Sequence, residues 1–402
     1  MPKFNIRKIL FSAARAVTAV LLCLAALSGC SASNIQSAAL SPSPIVSPLA
    51  SAASCAPSIS AKAAILIEAS SEGVICEKNA DVRLPMASTT KIMTALVALE
   101  NCDKATVVTI PAEAVGIEGS SIYLFEGEKL TIEDLLYAML LESANDAAAA
   151  IAIEVGGSIQ GFADMMNAKA RELGLWDTHF TNPHGLDDDD HYTTARELAK
   201  IAAAAMKNDA FKAIVQAGQK TIPLGDDGTR VLVNHNKLLH RYDGAVGIKT
   251  GYTKKSGRCL VSAAKRDGVE LIAVTLSAPD DWNDHSTLLD YGFSLCEHRV
   301  LCAESEFWQV MPVIGGKAEY VMLKNENSLA ITLPKSASEI KCTLELPSFI
   351  YAPVIQSQRV GSLVYTLDGK KIAEVPIIAA YSVERKTYKR SILDLFSSLI
   401  GN

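Results

Sequence analysis

The sequence has no Cys-x-x-Cys unit anywhere in its 402 residues, which removes zinc knuckles and redox dithiols from consideration. Nine cysteines are present, but their spacing offers no compact disulfide framework. With Cys23 and Cys30 set aside, the others are Cys55, Cys76, Cys102, Cys259, Cys296, Cys302 and Cys342, an odd number. They read mostly as small buried hydrophobes. A basic face is also missing: the formal charge is -6, so nothing favours nucleic acid as a partner. Histidine is scarce, at 7 residues. Three of them, His179, His184 and His191, flank Asp187-Asp188-Asp189-Asp190, yet the spacing fits no metal-ligand pattern. That stretch reads as a solvated turn, and no metal or cofactor is expected. The apolar run Ala16–Leu27 follows a basic opening and is too short for a permanent membrane span. Residues 1–30 therefore read as an export signal. Leu27-Ser28-Gly29-Cys30 has the form of a bacterial lipobox, which leaves two readings open: lipidation at Cys30, or ordinary cleavage near Ala32.

What is present begins with residues 31–58, a Ser-, Ala- and Pro-rich spacer with almost no charge. Ala63–Ala69 and Val74–Glu77 form a hairpin pattern around Ser71-Glu72-Gly73. Helical patterns follow over 91–101, 131–140, 145–155, 159–173 and 194–206. Strand character returns over 242–277, with Gly268 at a turn, and Trp282–Cys296 reads as a helix. From Leu301 the texture becomes short strands, among them Val310–Val313, Tyr320–Leu323, Leu329–Leu333 and Val360–Tyr365. A large α+β domain over 59–300 and a small all-β domain over 301–384 are the expectation. A pedestal and a polymer-binding module are both open for the second.

Chemistry concentrates around Ser88-Thr89-Thr90-Lys91. A helix beginning near Ser88 would put the hydroxyl in its first turn, with Lys91 three residues on along the same face. Serine is a weak nucleophile without an adjacent base. Lysine can be that base if burial or a nearby positive charge lowers its pKa. Two further segments stand in order after it: Ser143-Ala144-Asn145, at a break between helices, and Lys249-Thr250-Gly251, leading into a strand. Ser-x-x-Lys, Ser-x-Asn and Lys-Thr-Gly together are the signature of penicillin-recognising serine enzymes.

Over roughly residues 58–400 the chain resembles the low-molecular-weight penicillin-binding proteins, specifically serine-type D-alanyl-D-alanine carboxypeptidases with a C-terminal β domain. Asn182-Pro183-His184-Gly185-Leu186, Asn234–Leu239 and Ala278-Pro279-Asp280-Asp281-Trp282 extend the resemblance, the last toward Gram-positive members, including those linked to sporulation. The resemblance implies a penicillin-binding/β-lactamase-like transpeptidase domain, an antiparallel sheet with a helical subdomain. It implies Ser88 as nucleophile, Lys91 as base and Ser143 as proton relay. Asn145, Lys249, Thr250 and Gly251 would bind substrate, and the Ser88 and Tyr252 amides would form the oxyanion hole. Implied partners are peptidoglycan stem peptides, with β-lactams as covalent inhibitors. An endopeptidase on cross-linked peptides and a catalytically weak scaffold are the alternatives. One departure stands out: well-known members hold the substrate carboxylate with an arginine entering the last helix, where this chain has Asp280-Asp281-Trp282-Asn283-Asp284. Lys249 and Thr250, or an arginine such as Arg258, would have to serve instead.

The last stretch, 385–402, begins with Arg385, Lys386, Lys389 and Arg390 and then places Ile392, Leu395, Phe396 and Leu399 at helical spacing. It reads as an amphipathic membrane-associating tail, with a helix docked on the β domain as the alternative. The expected location is outside the cell, at the outer face of the cytoplasmic membrane or in the cell wall.

Overall fold

The computed structural model describes residues 57–225 and 228–387. The predicted export signal, nearly all of the spacer and the tail beyond Thr387 lie outside the described residues. Chain order begins with β1 (Ala63–Glu68) and β2 (Val74–Lys78), then α1 (Lys91–Asn101), β3 (Val107–Thr109) and β4 (Lys129–Thr131). The helices α2 (Ile132–Leu141), α3 (Asn145–Gly156), α4 (Ile159–Glu172), α5 (Ala195–Ala205) and α6 (Asp209–Gln216) follow. Next come β5 (Gln219–Leu224), β6 (Gly228–Val233), the one-turn α7 (Leu238–Arg241), β7 (Ala245–Thr253), β8 (Gly257–Arg266), β9 (Val269–Leu276) and α8 (Asp281–Leu295). Helix α6 and the β5–β6 hairpin were not among the elements expected from sequence.

Local chemistry sets several of these boundaries. Thr131 caps α2 by accepting from the Asp134 amide, while the Asp134 carboxylate accepts from the Thr131 amide. That reciprocal box satisfies two otherwise orphaned donors. Ser158, Thr194 and Asn208 cap α4, α5 and α6 with the same kind of side-chain acceptor.

The central sheet is antiparallel in the order β2-β1-β9-β8-β7. Strand β1 is buried along its whole length. Ala63, Ile65 and Ile67 enter the larger core with the helices, whereas Ala64 and Leu66 enter a second core against Leu288 and Leu289 of α8. Covering both faces is why the strand is apolar throughout and not alternating. Strand β7, which carries Lys249-Thr250-Gly251, lies at the sheet edge.

The β domain contains β10 (Cys296–Cys302), β11 (Trp308–Ile314), β12 (Tyr320–Asn325), β13 (Leu329–Pro334), β14 (Lys341–Glu345), β15 (Ile350–Tyr351), β16 (Arg359–Leu367) and β17 (Lys370–Ala379). Strand β10 follows α8 directly, so it runs across the expected boundary at residue 300, and it pairs with β13. A six-stranded sheet in the order β14-β16-β17-β12-β11-β15 encloses Met311, Val321, Leu323, Leu333, Val375 and Ile377. Buried Glu68 ties the two parts together: it accepts from Ser70, Ser71 and, at 3.1 Å, the Thr332 hydroxyl of β13. Among the described residues no helix is long and apolar enough to cross a membrane.

Gly292 lets α8 lie flat on the sheet, since a Cβ there would fall 2.6 Å from Leu271 Cδ1 and 2.8 Å from Leu66 Cδ2. Gly292→Ala gains up to about 1 kcal/mol of helix propensity but overpacks the core by about 1–3 kcal/mol. The expected outcome is a lower urea midpoint, and an unchanged or higher midpoint would contradict this packing.

Candidate active site

Ser88 sits in a 3₁₀ turn, Ala87–Thr90, that leads into α1, and not in an α-helical first turn as the sequence pattern suggested. The turn begins with Ala87 at φ +48°, a left-handed conformation unusual for a residue with a Cβ. Thr90 Oγ1 donates to the Ala87 carbonyl at 2.8 Å and helps hold it there. Behind Thr90 lies His191, whose Nδ1 accepts from the Thr181 amide at 3.1 Å. Its Nε2 hydrogen therefore points to Thr90 Oγ1, 2.8 Å away. Burial lowers the His191 pKa to about 4, so the ring is neutral at neutral pH.

Lys91 is completely buried. Its Nζ lies 2.9 Å from Ser88 Oγ, 2.7 Å from Asn145 Oδ1 and 2.6 Å from the His184 carbonyl oxygen. Burial is the main force lowering its pKa well below the ordinary lysine value; the positive charge of Lys249 adds to this and Asp146 opposes it. The two carbonyl oxygens can only accept. A neutral amine spends its two hydrogens on them and keeps its lone pair for Ser88, the one neighbour able to donate. The geometry thus fits a base poised on the serine hydroxyl.

Three segments far apart in sequence deliver these groups. Ser143 breaks the chain between α2 and α3 with φ +62°, and Asn145 opens α3. One Asn145 N–H donates to the Glu118 carbonyl at 2.5 Å, and the other has no acceptor among the described residues. Asp146, fully buried, accepts from Ser121 Oγ at 2.6 Å and the Leu124 amide at 3.0 Å, and so shapes the loop beside Asn145. The Pro183-His184-Gly185 segment is held by Thr94 Oγ1, which donates to the Pro183 carbonyl at 2.6 Å. Gly185 has φ +87°, and a Cβ there would lie 2.0 Å from the Ala87 carbonyl oxygen, so no other residue lets this segment approach.

On β7, Lys249 is buried and donates to the Thr250 carbonyl at 3.0 Å. Burial lowers its pKa to about 7. A Cβ on Gly251 would be 3.1 Å from the Ser88 amide nitrogen, so its absence allows the nucleophile turn to rest on the strand edge. The resulting cleft, about 350 Å³, is lined by Ser88, Ser143, Thr250, Gly251 and Tyr252, with His235, Lys237, Arg258 and Trp282 at its flanks.

All the residues singled out from sequence therefore meet at one place, although Ser143 only lines the cleft. Among the described residues no hydrogen bond joins its hydroxyl to Lys91. Sequence reasoning missed the His184 carbonyl, which as a backbone group has no residue signature, and the supporting Asp146. The acidic stretch after Leu186 lies to the side: Asp187 accepts from Thr253 Oγ1 at 2.8 Å and Asp189 from Lys255 at 2.5 Å, bracing the β7–β8 turn.

Comparison with known proteins gives the family. Residues 50–280 match the D-alanyl-D-alanine carboxypeptidase family, and residues 300–385 match the C-terminal domain of penicillin-binding protein 5. The D-alanyl-D-alanine carboxypeptidase DacF of Bacillus subtilis is 33% identical over 335 residues, covering 81% of this chain and 86% of the relative. The structure of penicillin binding protein 5 from Haemophilus influenzae superposes with a TM-score of 0.65 at 30% identity, covering 83% of this chain and 100% of that one. That of a peptidoglycan synthesis regulatory factor (PBP3) from Streptococcus pneumoniae gives 0.69 at 26% identity, covering 82% and 100%. The chain belongs to the D-alanyl-D-alanine carboxypeptidase family, the low-molecular-weight penicillin-binding serine peptidases.

Proposed function

We propose that Ser88 carries the hydrolysis of the terminal D-alanine from peptidoglycan stem peptides, with Lys91 as its base. The observation that carries this reading is the buried Lys91 Nζ, 2.7 and 2.6 Å from two oxygens that can only accept and 2.9 Å from Ser88 Oγ, in a site whose burial favours the neutral amine. As Oγ bonds to the carbonyl carbon between the two D-alanines, its proton passes to Lys91 Nζ. Negative charge develops on the carbonyl oxygen, between the backbone amides of Ser88 and Tyr252. The C–N bond then breaks, and the departing D-alanine nitrogen takes the proton, relayed through the Ser143 hydroxyl. Water hydrolyses the acyl-enzyme and regenerates Ser88. Asn145 and the edge of β7 at Thr250 and Gly251 align the peptide backbone, and Lys249 supplies positive potential.

A β-lactam closes on Ser88 by the same first step. Class A β-lactamases hydrolyse that adduct quickly with a further carboxylate that activates water. Glu172, at the end of α4, instead pairs with Lys169 at 2.9 Å, away from the cleft. Incubation with a pentapeptide ending in D-alanyl-D-alanine is expected to release free D-alanine, and Lys91→Ala to slow release by more than about 100-fold. Intact mass after mixing with penicillin should show one persistent adduct on wild type and none on Ser88→Ala. Folded protein that releases no D-alanine, or a Ser88→Ala protein that still forms the adduct, would contradict the assignment.

Residues 1–30 support export, with lipid on Cys30 and cleavage near Ala32 as the two readings, and residues 385–402 support contact with the membrane surface through a basic leading stretch and an apolar face. Work would then be done on the outer face of the cytoplasmic membrane. Protein lacking residues 1–58, and hence any lipid at Cys30, is expected to float with anionic liposomes when residues 388–402 are present and to sediment when they are removed. Identical behaviour of the two forms would refute the tail as anchor.

A further inference from the structure

We propose that Cys302 and Cys342 are a redox-active pair in the β domain, a site where an oxidant bearing a disulfide joins the two thiols. They lie far apart in sequence, and the fold brings them to one tyrosine. Cys302 ends β10 and is buried, whereas Cys342, the second residue of β14, is exposed. Strand β14 pairs with β16 so that Cys342 stands directly across from Tyr365. Cross-strand partners of this kind share one face of the sheet. Tyr365 is buried, and its hydroxyl donates to the Leu301 carbonyl at 3.2 Å, one residue before Cys302. The tyrosine thus reaches from the strand beside Cys342 to the strand that carries Cys302. Its hydroxyl is a hydrogen-bonding neighbour of both thiols. Burial, and then the two thiols, hold the Tyr365 pKa above its ordinary value, so the phenol stays protonated.

Two sulfurs that border one hydroxyl oxygen lie near each other, which is what a disulfide needs and what spacing along the chain does not reveal. Exposed Cys342 is the entry point. Its thiolate attacks one sulfur of the oxidant, forming a mixed disulfide and releasing the first thiolate. Cys302 then gives its proton to solvent and attacks Cys342 Sγ, so the S–S bond forms within the protein and the second thiolate leaves. Two protein thiols are oxidised, and one oxidant disulfide is reduced to two thiols. Oxidants of this class act outside the cytoplasm, the compartment to which residues 1–30 point. Strand β14 is an edge of the six-stranded sheet and is exposed along its length, whereas β10 belongs to the two-stranded sheet with β13. The bond would tie that edge to the other sheet. It would also close a loop containing β11, β12 and β13, which restricts the unfolded chain.

The test starts from the full chain, reduced and then incubated with oxidised glutathione. Digestion without reduction and mass mapping should find a Cys302–Cys342 cross-linked peptide, lighter by two hydrogens than its two components together. Cys342→Ser changes an exposed position, so the variant should fold and leave Cys302 a free thiol. Oxidised wild type should melt several degrees above its reduced form and above Cys342→Ser treated in the same way. Dithiothreitol should abolish that gain. Cys342 that stops at a stable mixed disulfide with glutathione while Cys302 stays free would overturn the proposal. So would Cys342 linked to a different cysteine, or oxidised wild type that melts no higher than the reduced protein.

Discussion

The proposed chemistry depends on keeping one lysine amine uncharged in the protein interior. An ammonium would donate to all three of its neighbours, and Ser88 would then be an acceptor with no base. Burial alone biases Lys91 toward the neutral form, and the second buried lysine, Lys249, pushes in the same direction. The arrangement also costs stability. Between pH about 7, where folded Lys249 titrates, and about 10.4, where an unfolded lysine does, the unfolded chain binds a proton that the folded chain does not. The contribution of this group therefore rises with pH across that window.

Holding the amine in place is the work of the larger fold. Helix α1 brings Lys91 under Ser88, the α2–α3 break brings Asn145 beside it, and the Pro183-His184-Gly185 segment closes the third side. Strand β7 then supplies the open edge along which an extended peptide can lie. The special backbone conformations, at Ala87, Ser143 and Gly185, fall where these segments meet. Strain concentrated at the junctions of a site, with regular helices and strands behind it, is what a rigid scaffold makes affordable.

Much of this was legible in the residues themselves. Ser88, Lys91, Asn145 and Lys249-Thr250-Gly251 were found because their chemistry needs particular side chains at particular spacings. The helices α2 to α5 were found because each carries apolar residues at helical period, and α2, α4 and α5 also begin at a polar cap. The fold class, an antiparallel sheet with a helical subdomain followed by an all-β domain, agrees with the comparisons. What stayed hidden had other physical origins. The His184 carbonyl is common to every residue type. Asp146 reads as an ordinary first-turn acid until its loop is seen folded around it. Helix α6, Asp209–Gln216, buries Phe211, Ile214 and Val215 on one face but spans only about two turns, and the β5–β6 hairpin has one buried residue per strand. The position of Arg258 depended on pairing between β7 and β8, which a linear reading could not supply.

The central claim is that Lys91 is a neutral amine when the enzyme works, and its own titration tests that most directly. Protein labelled with 13C at the lysine Cε carbons, with the Lys91 resonance assigned by its loss in Lys91→Arg, can be followed by NMR across pH. The account predicts a Lys91 resonance that titrates far below the ordinary lysine value of about 10.4. Its midpoint should move upward in Lys249→Gln, because a neighbouring positive charge has been removed. A Lys91 resonance that titrates near the ordinary value, or one indifferent to Lys249, would contradict it.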